Sequence, residues 1–257
     1  MRIRNRVYVM RLLINCPLNI EFTKAQEAAC SPSHFRYLHF IYTRTTINTH
    51  EVMFIKSGIG KVRANAAILA GAHFFHPDII FDTGSCGSLS GNPVGSIIIS
   101  HTTYEYDLSG FGMPDKKSRI MKIHSGFDHR FHDIINTYNQ RIKENSNKKE
   151  FFIGIQACGE FIIKEINDKM NLRTLFNADA CNWESAGVFI GALTQQIPCI
   201  SIRGISDLAD EHAFIDFKKN INNTLSLLYR NIIDFIDQGI ILKVKQIWCP
   251  DIIEMCI

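Results

Sequence analysis

Apolar positions along this chain fall into two patterns, short continuous runs and longer stretches with helical spacing. The continuous runs predict buried strands at residues 6–16, 37–43, 51–56, 78–82, 94–100, 151–156 and 199–205. Helical spacing or alanine-rich composition predicts helices at residues 19–29, 62–75, 131–143, 183–194 and 225–236. Strands that alternate with helices predict a single α/β domain, in which a twisted, mixed and mainly parallel central sheet carries helices on both faces.

Composition agrees with one domain over residues 1–257. The chain has 257 residues, 46% of them hydrophobic, which is enough for one large buried core, and no linker-like stretch divides it. The net charge of +3 is too small and too dispersed to predict a nucleic-acid partner. No run approaches the ~18 apolar residues of a membrane span, so no membrane association is expected. Arg11 interrupts the basic and then apolar start, which argues against a signal peptide and for a cytoplasmic location.

The eight cysteines do not predict a metal site. None belongs to a C-x-x-C pair, and several lie inside strand-like runs, as Cys199 does. Buried free thiols in a reducing compartment account for them, so we expect neither a metal nor a cofactor.

Candidate chemistry lies after predicted strands, where α/β sheets bind ligands. Residues 83–88 (TGSCGS) follow the strand at 78–82. Their small side chains let backbone N–H groups approach an oxygen-rich ligand, although an ordinary tight turn has the same composition.

Two further segments carry carboxyl groups. Residues 182–187 (NWESAG) place Glu184 at a predicted helix start, where it either stabilises the helix end or accepts hydrogen bonds from two sugar hydroxyls. Residues 203–210 (RGISDLAD) place Asp207 after Ser206 at the end of a predicted strand. An acid there can deliver a proton, and the alternative is that Ser206 or Asp207 caps a turn.

These segments and residues 56–62 (KSGIGKV) resemble, in order and spacing, the motif series of the 5′-methylthioadenosine/S-adenosylhomocysteine nucleosidases. The resemblance runs from about Glu51 to Phe235 and includes residues 104–114 (YEYDLSGFGMP), whereas residues 1–50 are divergent and the tail at 243–257 is unassigned. It implies a nucleoside phosphorylase-like fold. It also implies hydrolysis of the N-glycosidic bond of an adenine nucleoside (5′-methylthioadenosine, S-adenosylhomocysteine or 5′-deoxyadenosine).

The resemblance assigns catalytic roles to four residues. Asp207 is the acid that protonates N7 of the leaving adenine, Ser206 orients it, and Arg203 lies near the attacking water. The acid role requires that burial or a nearby carboxylate raise the pKa of Asp207. Glu21, which opens the first helix, is the candidate base that activates water, and its alternative is an exposed helix glutamate.

The resemblance also assigns the substrate contacts. Glu184 grips the ribose hydroxyls. The sugar and the attacking water are lined by Ser85, Cys86 and Gly87.

On the side of the base, the resemblance makes Phe161 the ring that stacks on the adenine, while Ile162 presents backbone polar groups to its edge. Phe161 taken alone suits a core position equally well. Members of the family pair so that a loop of one subunit closes the pocket of its neighbour, which implies a homodimer. The residues that would reach across are Leu108, Phe111 and Met113.

The chain departs from the family pattern beside the substrate. The family has Glu-Met-Glu where this chain has Asn182, Trp183 and Glu184, and the bulky Trp183 would narrow the pocket for the 5′ substituent. Residues 157–160 (ACGE) also depart from the family's Ser-Gly-Asp. The reaction type is therefore better determined than the substrate.

Two alternatives to hydrolysis follow from the same fold. Phosphorylases attack with phosphate, which they hold with arginines, and the hexameric ones place an Arg just before the Gly-Ser loop. This chain has Asp82 near that point, where a carboxylate would repel phosphate, so hydrolysis is favoured. An inactive storage or ligand-sensing protein is the other alternative, and the presence of Glu184, Ser206 and Asp207 argues against it.

Overall fold

Helices and strands alternate through the part of the chain that the computed structural model describes, which is residues 8–108, 121–143 and 148–256. The helices in these ranges are α1 (Asn19–Ala28), α2 (Lys61–Phe75), α3 (Arg130–Ile142), α4 (Ile166–Phe176), α5 (Ser185–Thr194), α6 (Ala213–Asp237) and α7 (Ile240–Ile247). The strands are β1 (Arg11–Cys16), β2 (Phe35–Tyr37), β3 (Phe40–Ile47), β4 (His50–Lys56), β5 (Ile79–Ser88), β6 (Ile97–Ser100), β7 (Thr102–Glu105), β8 (Met121–Ser125), β9 (Phe151–Ile153), β10 (Gln156–Cys158), β11 (Ala180–Asn182), β12 (Cys199–Asp207) and β13 (Ile253–Cys256). None of the helices in these ranges is both long and apolar enough to cross a membrane.

All the described strands belong to one mixed sheet. Its centre is parallel, because β1 pairs with β4 and β5, and β5 pairs with β12. Antiparallel pairs, such as β3 with β4 and β7 with β8, extend the sheet outward. The predicted single α/β domain with a mixed central sheet is confirmed.

The sheet has an apolar core on each face, as β1 illustrates. Leu12 and Ile14 pack into a core formed with α1, α3, α6 and α7. Leu13 points to the opposite face and packs with α2 and α5. Side chains alternate between the faces of a strand, so a strand covered on both sides becomes a continuous apolar run. That is why the central strands could be recognised in the sequence.

Two central strands are longer than the sequence predicts. The apolar runs end at residues 82 and 205, whereas β5 continues to Ser88 and β12 to Asp207. Small polar residues such as those of TGSCGS have little intrinsic preference for strands. Parallel pairing between β5 and β12 holds them extended, and a register irregularity between Ile205 and Asp207 redirects the end of β12.

Several elements were not predicted or were predicted with wrong bounds. The three-residue strands β10 and β11 are too short for an apolar pattern, and the first turn of α4 is mostly polar. The first predicted strand begins at Arg11 instead of residue 6, and α5 begins at Ser185 instead of residue 183. The closing helix α6 begins at Ala213, twelve positions before the predicted residue 225. Its first turn was missed because Phe214 and Ile215 there are exposed and do not continue the buried apolar stripe.

The chain after α6 is packed onto the domain. Helix α7 contacts α3, and β13 pairs with β8 in antiparallel orientation at the edge of the sheet. The segment that the sequence left unassigned therefore extends the sheet.

Candidate active site

A cavity of about 310 Å³ opens where β5 and β12 end. Its volume lies within the range of small-molecule sites, roughly 300–1,000 Å³. Three carboxyl groups line it, from Glu21 in α1, Glu184 directly before α5, and Asp207 at the end of β12. They are 1%, 6% and 9% exposed, respectively. The fold thus gathers three buried acids from distant parts of the chain around one space.

Asp207 is held by its own turn. Its Oδ1 accepts a hydrogen bond from the N–H of Ala209 at 3.0 Å, and the Ser206 hydroxyl lies 2.8 Å from its Oδ2. Burial raises the pKa of Asp207, against the lowering effect of these two hydrogen bonds. The raised pKa that an acid role requires is therefore present.

Glu21 is buried, so its interpretation as an exposed helix glutamate is wrong. Its Oε2 accepts the N–H of Leu18 at 2.8 Å, and its Oε1 accepts the N–H and the hydroxyl of Ser85 at 2.8 and 3.0 Å. Burial raises the pKa of Glu21, and the positive charge of Arg203 opposes that shift. A buried carboxylate with a raised pKa is a better proton acceptor than a solvated one.

The glycines of TGSCGS admit two of these carboxylates. At Gly84, where φ is +137°, a Cβ atom would lie 2.7 Å from Glu21 Oε1, and at Gly87 it would lie 2.8 Å from Asp207 Oδ1. The sequence predicts that this segment brings backbone N–H groups to a ligand. Instead the Ser85 N–H donates to Glu21, so this backbone group is bound to a carboxylate of the protein and not to a ligand.

Glu184 lies between a backbone donor and a buried cation. Its Oε1 accepts the N–H of Gly60 at 3.2 Å, and its Oε2 lies 3.3 Å from Nη1 of Arg203. Burial raises the pKa of Glu184 to about 7, although Arg203 lowers it. The carboxylate therefore gains its charge close to neutral pH.

Arg203 and Asp82 lie behind the cavity and do not line it. The Arg203 guanidinium forms two hydrogen bonds with Asp82, from Nη2 at 2.7 Å and Nε at 2.9 Å, and Nη1 donates to the carbonyl of Ser85. Both side chains are at most 1% exposed. Asp82 thus does not face a ligand as the repulsion argument assumes, and it instead binds Arg203 behind the cavity.

Aromatic rings form the opposite part of the lining. Phe161 is 48% exposed and lies edge-on to Tyr106, with ring centres 5.3 Å apart, and Ile162 lines the cavity beside it. The interpretation of Phe161 as a core aromatic is therefore wrong. The indole N–H of Trp183 donates to the Phe161 carbonyl at 3.1 Å, a bond that methionine cannot make.

Some lining residues escaped sequence reasoning. Tyr106, Leu18 and Ile59 line the cavity from loops. Phe214 and Phe217, three positions apart at the start of α6, also line it, and they were missed because the helix was predicted to begin later. Their helical spacing was the available signal.

The remaining predicted site residues divide into those that line the cavity and those that do not. Ser85, Cys86, Gly87 and Ser206 line the cavity as expected from their segments. Leu108 is exposed and does not line it, and Phe111 and Met113 lie outside the described residues. Across residues 8–108, 121–143 and 148–256, no group of three or more His, Cys, Asp and Glu side chains is arranged to hold a metal ion.

Comparisons with known proteins agree with this architecture. A family model described as the phosphorylase superfamily matches residues 12–236, starting well before Glu51. A 5′-methylthioadenosine/S-adenosylhomocysteine nucleosidase of Buchnera aphidicola is 31% identical over 226 residues, covering 77% of this chain and 92% of the relative. An aminodeoxyfutalosine nucleosidase of Campylobacter jejuni is 26% identical over 224 residues, covering 85% of this chain and 95% of the relative.

A solved structure shares the fold at lower identity. The Helicobacter pylori 5′-methylthioadenosine/S-adenosylhomocysteine nucleosidase with butyl-thio-DADMe-Immucillin-A superimposes with a TM-score of 0.78. It is 19% identical and covers 90% of this chain and 99% of that structure's chain. At this identity the likeness establishes the fold.

Proposed function

This chain belongs to the phosphorylase superfamily and, within it, to the 5′-methylthioadenosine/S-adenosylhomocysteine nucleosidases, and we propose from its cavity how it hydrolyses the N-glycosidic bond of an adenine nucleoside. The observation that carries the mechanism is that Asp207, Glu184 and Glu21 line the same cavity. Cleavage of this bond needs an acid for the base, a holder for the sugar and a base for water. One carboxyl group is available for each task.

Asp207 acts as the acid in this proposal. Adenine leaves more easily when N7 is protonated, because the departing base is then neutral. The Ser206 hydroxyl has one hydrogen and two acceptors within reach, Asp207 Oδ2 at 2.8 Å and the Cys86 carbonyl at 3.3 Å. It can point at the carbonyl while Asp207 is protonated and turn to Asp207 once the proton has left. Ser206 then stabilises the carboxylate that the reaction produces.

Glu21 and Glu184 act on the sugar side. Glu21 removes a proton from water that attacks the anomeric carbon, in the space that Ser85 also lines. Glu184 accepts hydrogen bonds from the ribose hydroxyls, which its ionised form does best. The positive charge that develops on the sugar is stabilised by both carboxylates.

The apolar lining supports a nucleoside with an apolar 5′ substituent. Leu18 and Ile59 lie beside the two sugar-side acids, since Leu18 binds Glu21 and the next residue after Ile59 binds Glu184. Trp183 and Phe217 add aromatic surface to the cavity. These residues suit an alkylthio group, so we propose 5′-methylthioadenosine as the preferred substrate, with S-adenosylhomocysteine and 5′-deoxyadenosine as further candidates.

Water is favoured over phosphate as the nucleophile. Among the described residues that line the cavity there is no Arg or Lys. Arg203 is the buried cation next to it, and its guanidinium already faces Asp82, Ser85 and Glu184. A phosphate dianion would therefore enter a space that offers it carboxylates and no free cation.

A phosphate-free assay tests this function. The purified protein should release adenine from 5′-methylthioadenosine at the same rate with and without phosphate, with free 5-methylthioribose as the second product. Adenosine and inosine serve as controls for purine nucleosides that lack the apolar 5′ group. Dependence on phosphate would support a phosphorylase, and no turnover of any purine nucleoside would support a storage or sensing role.

The rim of the cavity supports a homodimer. Phe161, Ile162 and Phe214 line the cavity and are all about half exposed. Leu108, which follows the lining residue Tyr106 by two positions in the chain, is also exposed. A second subunit would cover this apolar rim. Sedimentation should give the mass of two chains, and a fully active monomer would contradict the proposal.

We further propose a cytoplasmic role in methionine salvage, which fits an enzyme that breaks down methylthioadenosine.

A further inference from the structure

A closed ring of polar contacts runs behind the cavity and returns to its starting point. We call it the buried ring, and its members are Asn182, Gln156, Ser201, Asp82, Arg203 and Glu184. Three of them, Gln156, Ser201 and Asp82, are fully buried and do not line the cavity. Their contacts join β10, β12 and β5 to the start of α5.

The ring has only one consistent direction of hydrogen bonding. Asn182 Oδ1 accepts the N–H groups of Glu184 and Ser185 at 3.1 and 2.8 Å, so its amide nitrogen must donate to Gln156 Oε1. The Gln156 nitrogen then donates to the Ser201 hydroxyl at 2.8 Å. The Ser201 hydrogen is left for Asp82, whose Oδ2 lies 2.6 Å away.

Asp82 is the point where the donors converge. It accepts from Ser201 and, through both oxygens, from Arg203. Only an ionised carboxylate accepts from all of these donors at once. With Nε and Nη2 occupied in this way, Arg203 reaches Glu184 only through Nη1, in a contact of 3.3 Å.

The titratable groups around Glu184 come from four elements. Arg203 on β12 lowers the pKa of Glu184, whereas Glu21 on α1 and Asp82 on β5 raise it, and the thiol of Cys158 on β10 also lies close enough to interact with Glu184. Burial is the largest influence and raises it. Asp82 therefore moderates the pull of Arg203 on Glu184.

We propose that Asp82 is a positioning residue that restrains Arg203, so that Glu184 keeps its carboxylate free to accept the ribose hydroxyls. The proposal rests on the ribose-holding role proposed for Glu184. Gln156 and Ser201 fix Asp82 in place. The proposal also explains why this chain has Asn182 where the resembled family has Glu, since an ionised glutamate there has no hydrogen to donate to Gln156.

Replacing Asp82 with Asn tests the proposal. The amide turns an N–H₂ group toward donors, so Arg203 loses an acceptor and shifts toward Glu184. We expect KM for 5′-methylthioadenosine to rise about tenfold with kcat nearly unchanged, the loss typical of one weakened hydrogen bond to a charged group. For the 2′-deoxy analogue, which lacks a hydroxyl that Glu184 holds, the rise should be clearly smaller.

A carboxyl titration measures the same effect without turnover. Glu184, assigned by comparison with Glu184→Gln in ¹³C NMR, should titrate near pH 7 in the free wild-type protein. In Asp82→Asn it should titrate at lower pH, because a negative charge that raises its pKa is gone. In the wild type, kcat/KM should accordingly fall as pH drops below about 7, since the protonated form of Glu184 is the poorer acceptor. An unchanged Glu184 titration would overturn the proposal even if the protein hydrolysed no nucleoside.

Two comparisons separate positioning from a general loss of structure. In a Glu184→Gln background, Asp82→Asn should raise KM no further, and a full additional tenfold rise would show that Asp82 does not act through Glu184. Ser201→Ala removes the hydrogen bond from Ser201 to Asp82 and should raise KM about threefold. It replaces Asp82→Asn as the test if that variant does not fold. Its matched control is Ser100→Ala, a buried serine paired with Ser201 in register on β6 but outside the ring, which should leave KM unchanged.

Discussion

Replacing Asp207 with Asn should lower kcat on 5′-methylthioadenosine by about two to four orders of magnitude, the contribution of a positioned general acid. Asparagine has nearly the same shape: its one carbonyl oxygen can accept the N–H of Ala209, and its N–H₂ group can donate to the Ser206 hydroxyl, whose own hydrogen then goes to the Cys86 carbonyl. It has no proton to give to N7 of adenine, so the base would have to leave as an anion. KM should change much less than kcat, because the contacts to the sugar remain.

The control for this variant lies three residues further along the chain. Asp210 accepts the N–H of His212 at 2.9 Å and does not line the cavity, so Asp210→Asn should retain kcat within about twofold. Thermal unfolding followed by circular dichroism should give similar midpoints for both variants and the wild type. A near-normal rate for folded Asp207→Asn would remove Asp207 as the acid and with it the mechanism proposed here.

How much of this protein could be predicted depended on the range of the interactions that determine each part. The strand at β1 was recognisable because Leu12, Leu13 and Ile14 are each buried, on alternate faces, and local apolar runs record that burial. The ends of β5 and β12 were not, because parallel pairing with β12, in which Ile202 lies opposite Thr83 and Gly204 opposite Ser85, keeps the polar end of β5 extended. Such pairing leaves no mark in either segment alone.

The site divides in the same way. Asp207 and Glu184 could be proposed from short segments that resemble known motifs, but their raised pKa values come from burial that no motif encodes. Glu21 was ambiguous as a helix glutamate, and only the contact with Ser85, 64 positions away, distinguishes it from a surface residue. Asp82 shows the strongest effect of context. The sequence suggested that this carboxylate faces the ligand and would repel phosphate, whereas the fold places it against Arg203 behind the cavity.

Replacing Glu21 with Gln should lower kcat by about two to four orders of magnitude while leaving KM within a few-fold, because the base acts on water and not on the nucleoside. Both Glu21 oxygens accept backbone N–H groups, from Leu18 and from Ser85. Glutamine can accept only one of them, so the free energy of unfolding should also fall by about 1–3 kcal/mol. Kinetics should therefore be measured well below the unfolding midpoint of the variant. Glu27→Gln, on the exposed face of the same helix, is the control and should retain wild-type kcat.

Azide distinguishes a lost base from a distorted site. In Glu21→Ala, the missing side chain leaves space for a small anion beside Ser85. Azide attacks the anomeric carbon without giving up a proton, so it needs no base, while Asp207 still protonates the leaving adenine. Adding azide should therefore restore adenine release in Glu21→Ala and form the ribosyl azide, and it should not restore release in Asp207→Asn. If azide fails to accelerate folded Glu21→Ala, or if it rescues Asp207→Asn equally well, the division of labour between the two carboxyl groups is wrong.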